Sequence, residues 1–377
     1  MFQKYHTLLH KRQQEHSLRS LRAPLPADII DFSSNDYLCL RKDERVINAG
    51  CEAAHRYGAG TSGSRLLSGN NDLFEQFEQQ IAKDLLCEDA ITFSSGFQLN
   101  STVIPTLFEN WTVLSDKLNH ASIYHGLLNN PHINFVRYKH RDMDDLRLLI
   151  KQLRHNQTHS KKQHIAIITE TLFGMEGHAV NLIALRELCR QYDLFLFLDD
   201  SHAIGLYGPY GFGMSTTLDL SDIPHAIMGT FSKALGCSGG FLACNAVMKK
   251  YLLQKCPGFI YSTAPSPFTI GAAFAAWRLV PKMHDARSSI SLNSQRIASL
   301  IELYGAHPDS SLHIHSLPCK DNNDLLYKRH ICEQNKISLA AVRPPTAPTP
   351  RLRIAINANI TYTHIELFRD VMQTLHG

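Results

Sequence analysis

The chain has 377 residues, 44% hydrophobic and 19% charged, an ordinary balance for a globular protein with a large buried core, and a length that suits two domains or one large one. Its formal net charge of +4 comes without a Lys/Arg block or interleaved aromatics, which leaves nucleic-acid binding without support, and no stretch approaches the roughly 20 apolar residues of a membrane span. The nine cysteines are an odd number with no C-x-x-C pair, Cys51, Cys87 and Cys189 fall in helix-like patterns, and the N-terminus lacks an apolar core of signal-peptide length; together these predict reduced thiols and a cytoplasmic protein.

Residues 5–22 predict an amphipathic helix broken by Pro24 and Pro26, with Arg19 near its end. DFSSNDYLCL over 31–40 reads as extended chain and turn, and 44–57 as a helix. YGAGTSGSRLLSG over 57–69 is a glycine-rich loop without the preceding strand that a dinucleotide fingerprint requires. A helix over 71–86 and a strand over 90–93 follow. Ser94, Ser95, Gly96 and Phe97 then join that strand to a helix beginning near Gln98. Small residues at such a junction expose backbone N–H groups that suit an anion, although a plain tight turn is the alternative. His120 opens the helical stretch HASIYHGLL, where a lone histidine reads as a cap or core residue. Strands over 133–138 and 165–169 alternate with helices over 143–154 and 182–192, which predicts a mostly parallel sheet with right-handed crossovers.

LFLFL over 194–198 is the run expected of a strand covered on both faces, and it ends in Asp199, Asp200, Ser201 and His202. In a doubly wound sheet, ligands sit at the carboxyl ends of the strands. An aspartate there could hold a heterocyclic nitrogen protonated, or simply cap the next helix. A strand at 226–228 leads through Gly229, Thr230, Phe231 and Ser232 to Lys233, flanked by small residues. An amine held beside an interior strand forms Schiff bases with carbonyl compounds; a solvated lysine in a surface turn is the alternative for this stretch alone. Aspartate, histidine and lysine at the ends of consecutive strands suit pyridoxal phosphate, which needs a carboxylate on its ring nitrogen and a lysine on its aldehyde. Further on, 239–244 reads as a returning strand, 248–254 as a helix, and IYSTA over 260–264 as a segment ended by Pro265 and Pro267. Helices over 268–283 and 285–304 lead to strands over 312–317, 337–342 and 352–356 and helices over 325–334 and 364–375. The 21 histidines include helically spaced pairs, His6 with His10 and His155 with His159, and the alternating pair His313 and His315. None has the carboxylate of a metal-binding helix motif, and no metal site is expected.

LDDSHAIGLYG followed by TFSKALG, with NHAS, FSSNDYL and RPPT elsewhere, resembles the α-oxoamine synthases, which join an amino acid to an acyl thioester with loss of carbon dioxide; these motifs are spread from about Arg19 to Arg353. The resemblance implies an α/β fold-type-I pyridoxal-phosphate transferase, with a mostly parallel central sheet covered by helices on both faces and a smaller α/β C-terminal domain. The corresponding boundaries are an N-terminal helix and extended segment over 1–40, a large cofactor domain over 41–283 and a C-terminal domain over 284–377. It assigns Lys233 to the cofactor aldehyde, Asp199 to the ring nitrogen, His202 to the ring oxygen, His120 to stacking on the ring and steering substrate, and Gly96, Phe97 and Thr230 to the phosphate end. Thr263 matches a residue that approaches the neighbouring subunit's cofactor phosphate, which implies a homodimer. Arg19, Thr346 and Arg353 match substrate contacts, Arg353 as the partner of the α-carboxylate. At Gly174, a cofactor-contact position, the family usually has a serine, so a weakened network around the ring oxygen is expected; at Cys39 it usually has glycine.

Within the family the resemblance runs furthest toward the 8-amino-7-oxononanoate synthase branch, which implies L-alanine and a pimeloyl thioester on coenzyme A or acyl carrier protein. The alternatives are other branches, namely glycine acetyltransferase, 5-aminolevulinate synthase or a long-chain acyl or signal synthase. A non-catalytic pyridoxal-phosphate-binding module is disfavoured because simple binding needs no acid-base lysine.

Overall fold

The computed structural model describes residues 2–155, 163–309 and 311–376; His159 lies outside the described residues. In chain order the elements are helix α1 (Gln3–Gln14), strand β1 (Ile30–Asp31), helices α2 (Glu44–Tyr57) and α3 (Asp72–Asp84), strand β2 (Asp89–Phe93) and helix α4 (Gly96–Leu107). They continue with β3 (Thr112–Asp116), α5 (Ala121–Leu128), β4 (Asn134–Tyr138), α6 (Met143–His155), β5 (Ile165–Glu170), β6 (Leu172–Phe173), β7 (His178–Ala179) and α7 (Leu182–Tyr192). Then come β8 (Phe195–Asp199), β9 (His225–Thr230), β10 (Gly240–Cys244), α8 (Ala246–Lys255), α9 (Pro257–Ile260), α10 (Pro267–Leu279) and α11 (His284–Glu302). The last are β11 (Ile314–Pro318), α12 (Asn322–Gln334), β12 (Ile337–Ser338), β13 (Ala340–Val342), β14 (Arg351–Ala355) and α13 (Tyr362–His376).

The chain divides into two compact units, one formed by Asp36–Phe173 and Ala179–His284, the other by Met1–Asn35, Gly174–His178 and Asp285–Gly377. In the larger unit, seven strands among the described residues form a sheet in the order β2-β10-β9-β8-β5-β3-β4. Only β10 runs against the rest, pairing antiparallel with both β2 and β9. All five residues of β8 are buried, as a strand covered by helices on both faces requires. β3, TVLSD, was not anticipated from the sequence, because its serine and aspartate interrupt the apolar run; it is nonetheless buried throughout, between β5 and β4.

Two helices of this unit approach unusually closely. A Cβ at Gly126 of α5 would lie 2.3 Å from the Asn100 carbonyl oxygen of α4, so the absence of a side chain there sets the spacing of the pair.

In the smaller unit, β11, β14 and β13 form an antiparallel sheet, and β1 pairs in parallel with β12. The single strand expected over 337–342 is therefore two short strands serving different sheets. Phe32 packs against Phe368 of α13 with ring centroids 5.5 Å apart and the rings tilted by 39°. The expected helix over 5–22 stops at Gln14. His16 takes a left-handed φ of 50°, and the Ser17 N–H closes back on the Arg12 carbonyl at 2.8 Å. No side chain of α1 is buried within the chain, so no packing sustains further turns.

His315 of β11 is buried; its Nε2 faces Ser294 Oγ at 3.3 Å, and that hydroxyl donates to the Leu312 carbonyl at 2.8 Å. Its Nδ1 has no hydrogen-bond partner among the described residues, and burial pushes its pKa from the usual 6.5 down to about 4. The unfolded chain therefore takes up a proton near pH 6.5 that the folded chain refuses until near pH 4. Stability is present above pH 6.5 and is lost as pH falls across that window, by up to roughly 3 kcal/mol. His315→Leu is expected to flatten this loss, read as the difference in denaturant midpoint between pH 7 and pH 5; an undiminished difference would contradict the assignment. Gly126→Ala is expected to lower the unfolding free energy by about 1–3 kcal/mol through overpacking against α4, measured by thermal melting.

Candidate active site

Two carboxylates end β8, and their surroundings separate them. Asp200 is fully buried and saturated: Thr171 Oγ1 and the Met214 N–H (3.2 Å) donate to Oδ1, while the Ser215 N–H (2.9 Å) and hydroxyl (2.5 Å) donate to Oδ2. Burial raises its pKa and the Ser215 and Thr171 donors oppose the rise, so Asp200 ties down the following loop. Asp199, 4% exposed, accepts from the Ser201 N–H at 3.0 Å and from Asn100 Nδ2 at 3.1 Å, and its two oxygens retain acceptor capacity.

Beside it, β2 passes into α4 through Ser95, whose hydroxyl caps the helix by accepting from the Gln98 N–H at 3.0 Å. Gly96 and Phe97 occupy the first turn, where N–H groups have no intrahelical acceptor. The turn is closely packed: a Cβ at position 96 would lie 2.9 Å from Met228 Cε and 3.6 Å from Thr230 Cβ, so a side chain there would displace the end of Met228. Thr230, at the end of β9, is buried, and its hydroxyl meets the Gly239 carbonyl at 2.8 Å and Ser232 Oγ at 2.9 Å. The turn that follows carries Lys233. It is anchored by Phe231, stacked near Phe77 and Phe241 with ring centroids 5.0 and 5.6 Å away, and by the Gly236 N–H donating to the Lys233 carbonyl at 2.8 Å. Gly236 has φ +65° and lies against the Arg41 backbone, which excludes other residues. Thr263 is exposed; its carbonyl faces Ser94 Oγ at 3.5 Å, and the adjacent Ala264 joins the glycine-rich loop through its N–H to Gly63 O and its carbonyl from Thr61 Oγ1, both 3.0 Å.

His120 is the N-cap of α5, with Nδ1 accepting from the Ser122 N–H at 3.2 Å and meeting the Ser122 hydroxyl at 2.8 Å. The residue as a whole is exposed, yet its ring is partly desolvated. That desolvation lowers its pKa, opposed by the charge of Asp199 and reinforced by that of Lys233. His202, 5% exposed, has Nδ1 2.7 Å from the hydroxyl of the fully buried Tyr37.

The smaller unit holds the remaining predicted residues in two pairs. Arg353 of β14, 3% exposed, donates from Nε to the Gly174 carbonyl at 2.5 Å and from Nη2 to Asn35 Oδ1 at 2.8 Å. Arg351, on the same side of the strand, is directed to Glu176 at 3.5 Å and to Thr349. Arg19 lies beyond α1 rather than in it, and donates from Nη2 to Thr346 Oγ1 at 2.9 Å.

In the larger unit these groups could hold a phosphorylated pyridine. The α4 N-terminus and Thr230 suit the phosphate, Asp199 a ring N–H, His120 a ring face and Lys233 an aldehyde. Asn100, Ser122, Tyr37 and Asn35 were not singled out from the sequence. Asn35 and Tyr37 lie inside the quoted FSSNDYL. Asn100 stands four residues after Gly96 among other polar residues of α4 (Gln98, Ser101, Thr102), so nothing local distinguished it.

A profile of the aminotransferase class I and II family matches residues 27–371. A protein of Paramagnetospirillum magneticum named "Putative 8-amino-7-oxononanoate synthase" is 35% identical over 353 residues, covering 89% of this chain and 87% of the relative. A relative of the same name from Magnetococcus marinus is 33% identical over 377 residues, covering 94% and 92%. Among solved structures, a Sphingomonas wittichii serine palmitoyltransferase superposes with a TM-score of 0.90 at 22% identity, covering 100% of this chain and 98% of that one. An 8-amino-7-oxononanoate synthase from Francisella tularensis superposes with a TM-score of 0.75 at 25% identity, covering 93% and 99%. The fold is that of the fold-type-I pyridoxal-phosphate enzymes. The chain belongs to the aminotransferase class I and II family and, within it, to the pyridoxal-phosphate-dependent α-oxoamine synthases.

Proposed function

We propose that the chain condenses L-alanine with a pimeloyl thioester, carried on coenzyme A or acyl carrier protein, releasing carbon dioxide to give 8-amino-7-oxononanoate for biotin synthesis. The observation that carries this reading is the 33–35% identity, over about nine-tenths of the chain, to relatives bearing that name. We also propose a homodimer, since Thr263 is exposed and matches a residue that serves the neighbouring subunit in the family.

Bound at the strand ends, pyridoxal phosphate supplies an electron sink for the charge left when the substrate Cα loses a proton. The residues around it divide the remaining work. The Gly96 and Phe97 N–H groups and the Thr230 hydroxyl bind the phosphate. Asp199, oriented by Asn100 and Ser201, keeps a proton on the ring nitrogen. His120, whose tendency to take up a proton is lowered by desolvation, stacks on the ring and steers substrate. His202 is aimed by the Tyr37 hydroxyl. Lys233 anchors the cofactor in the resting enzyme, and its Nζ then removes and returns the proton at the substrate Cα.

In the smaller unit, Arg353 is a buried permanent charge pre-oriented by Gly174 O and Asn35, suited to an α-carboxylate. Arg19 and Thr346 supply a further substrate contact. Gly174 has no hydroxyl to offer the cofactor's ring oxygen, so this role of the family serine falls away.

A turnover assay crossing alanine, glycine and serine with acetyl, succinyl, pimeloyl and long-chain acyl thioesters tests the reading. Carbon dioxide release is expected to be fastest with alanine and pimeloyl, with glycine lower in kcat/KM by about 10- to 200-fold for the missing methyl. Preference for serine with a long chain, or for glycine, would move the chain to another branch. Asp199→Asn is expected to retain cofactor binding in part and to lose turnover on the order of 100-fold or more, because an amide cannot hold the ring proton. Near-normal turnover in that variant would show that another group holds it.

A further inference from the structure

Asn100 is fully buried, and its side chain joins two groups that reach the candidate site from different elements. Its Nδ2 donates to Asp199 Oδ2 at 3.1 Å and to Ser122 Oγ at 3.0 Å. Its Oδ1 is buried with no hydrogen-bond partner among the described residues. A fold does not leave a buried acceptor unmade without a competing requirement, and here the requirement is visible. A carboxylate only accepts hydrogen bonds, so turning the amide over would aim its oxygen at Asp199. The charge at residue 199 therefore dictates which way the Asn100 amide faces.

That orientation propagates one step further. Ser122 Oγ accepts from Asn100, so its own proton is directed to its other close partner, His120 Nδ1, 2.8 Å away. The Ser122 N–H also donates to that nitrogen at 3.2 Å. Two donors on Nδ1 leave no place for a proton there, so the neutral ring carries its hydrogen on Nε2. We propose that Asn100 is a positioning residue that couples the Asp199 carboxylate to the tautomer of His120 through Ser122. The proposal takes the roles of Asp199 and His120 from the preceding section, but the tautomer is a property of the protein alone.

Nitrogen-15 NMR of the histidine-labelled full-length protein, recorded with and without pyridoxal phosphate, reads that tautomer directly, with His120→Gln assigning the resonance. The wild type is expected to show His120 with Nδ1 unprotonated and hydrogen on Nε2. Asn100→Leu is expected to lose this single-tautomer signature, because the freed Ser122 hydroxyl can then accept from Nδ1, whereas Ser122→Ala, which keeps the backbone donor and offers no acceptor, and Ser122→Thr are expected to keep it. Asp199→Asn is expected to lose it as well, because an amide at 199 no longer fixes the Asn100 orientation; a purely structural Asn100 would not transmit that change. Should Asn100→Leu fail to melt cooperatively, Asn100→Ser takes its place. Hydrogen on Nδ1 in the wild type, or an unchanged tautomer in folded Asn100 and Asp199 variants, overturns the proposal. Because no turnover is measured, the coupling can fail while the substrate assignment stands, and the reverse.

Discussion

An apolar strand buried on both faces that ends in two adjacent carboxylates is the constraint on which the larger unit depends. Charge removed from water is tolerated only where donors replace the lost hydration. Asp200 receives donors from Thr171, Met214 and Ser215, and in doing so folds the loop after β8 onto itself. Among the described residues Asp199 receives donors from Ser201 and Asn100, one on each oxygen, and so both oxygens keep acceptor capacity. Supplying Asn100 requires α4 to run beside β8. That places the first turn of α4 against Thr230 and Met228, with little room for a side chain at position 96. It also brings α5, through Gly126, close enough for Ser122 to reach Asn100. The exposed first turn of α4, the open acceptor positions of Asp199 and the histidine cap of α5 thus go together with a single demand for donors.

The smaller unit meets the opposite problem. A guanidinium cannot shed its proton, so the buried Arg353 must be met by acceptors, and the Gly174 carbonyl and Asn35 amide oxygen provide them. The buried His315 has the other option and remains neutral, with one nitrogen on Ser294 and the other without a partner among the described residues. The same burial that fixes the Arg353 guanidinium at one position of this sheet makes the neighbouring strand sensitive to acid. Glycine at 174 fits the first of these roles, since the contribution used there is a backbone carbonyl and no side chain is needed to make it.

Much of the architecture was legible before any coordinates. The 3.6-residue periodicity of 44–57 and 182–192 marked α2 and α7 to their ends, and LFLFL marked a strand covered on both faces. β3 was not legible, because the burial of its serine and aspartate depends on the strands that flank it. Nor was the end of α1, which a left-handed His16 decides. For the candidate site, the motifs around Asp199, His202 and Lys233 were readable as chemistry at strand ends, and their specific roles rested on resemblance. The Asn100–Ser122 link was not readable, since the two residues lie 22 positions apart with nothing in either neighbourhood to couple them.

The sequence by itself determined most of the helices and strands, that the strands run mostly parallel, and which polar residues follow the buried strand over 194–198, because these follow from local periodicity and from the geometry of crossovers. Only the tertiary structure decided which of Asp199 and Asp200 is saturated by its own loop, and that Arg353 rather than Arg351 is the buried guanidinium. It also decided that His120 is held by a chain of donors reaching back to Asp199. Each of these depends on directional hydrogen bonds between residues far apart in the chain, and a distance of 3 Å between side chains is set by packing, which no local pattern of residues encodes.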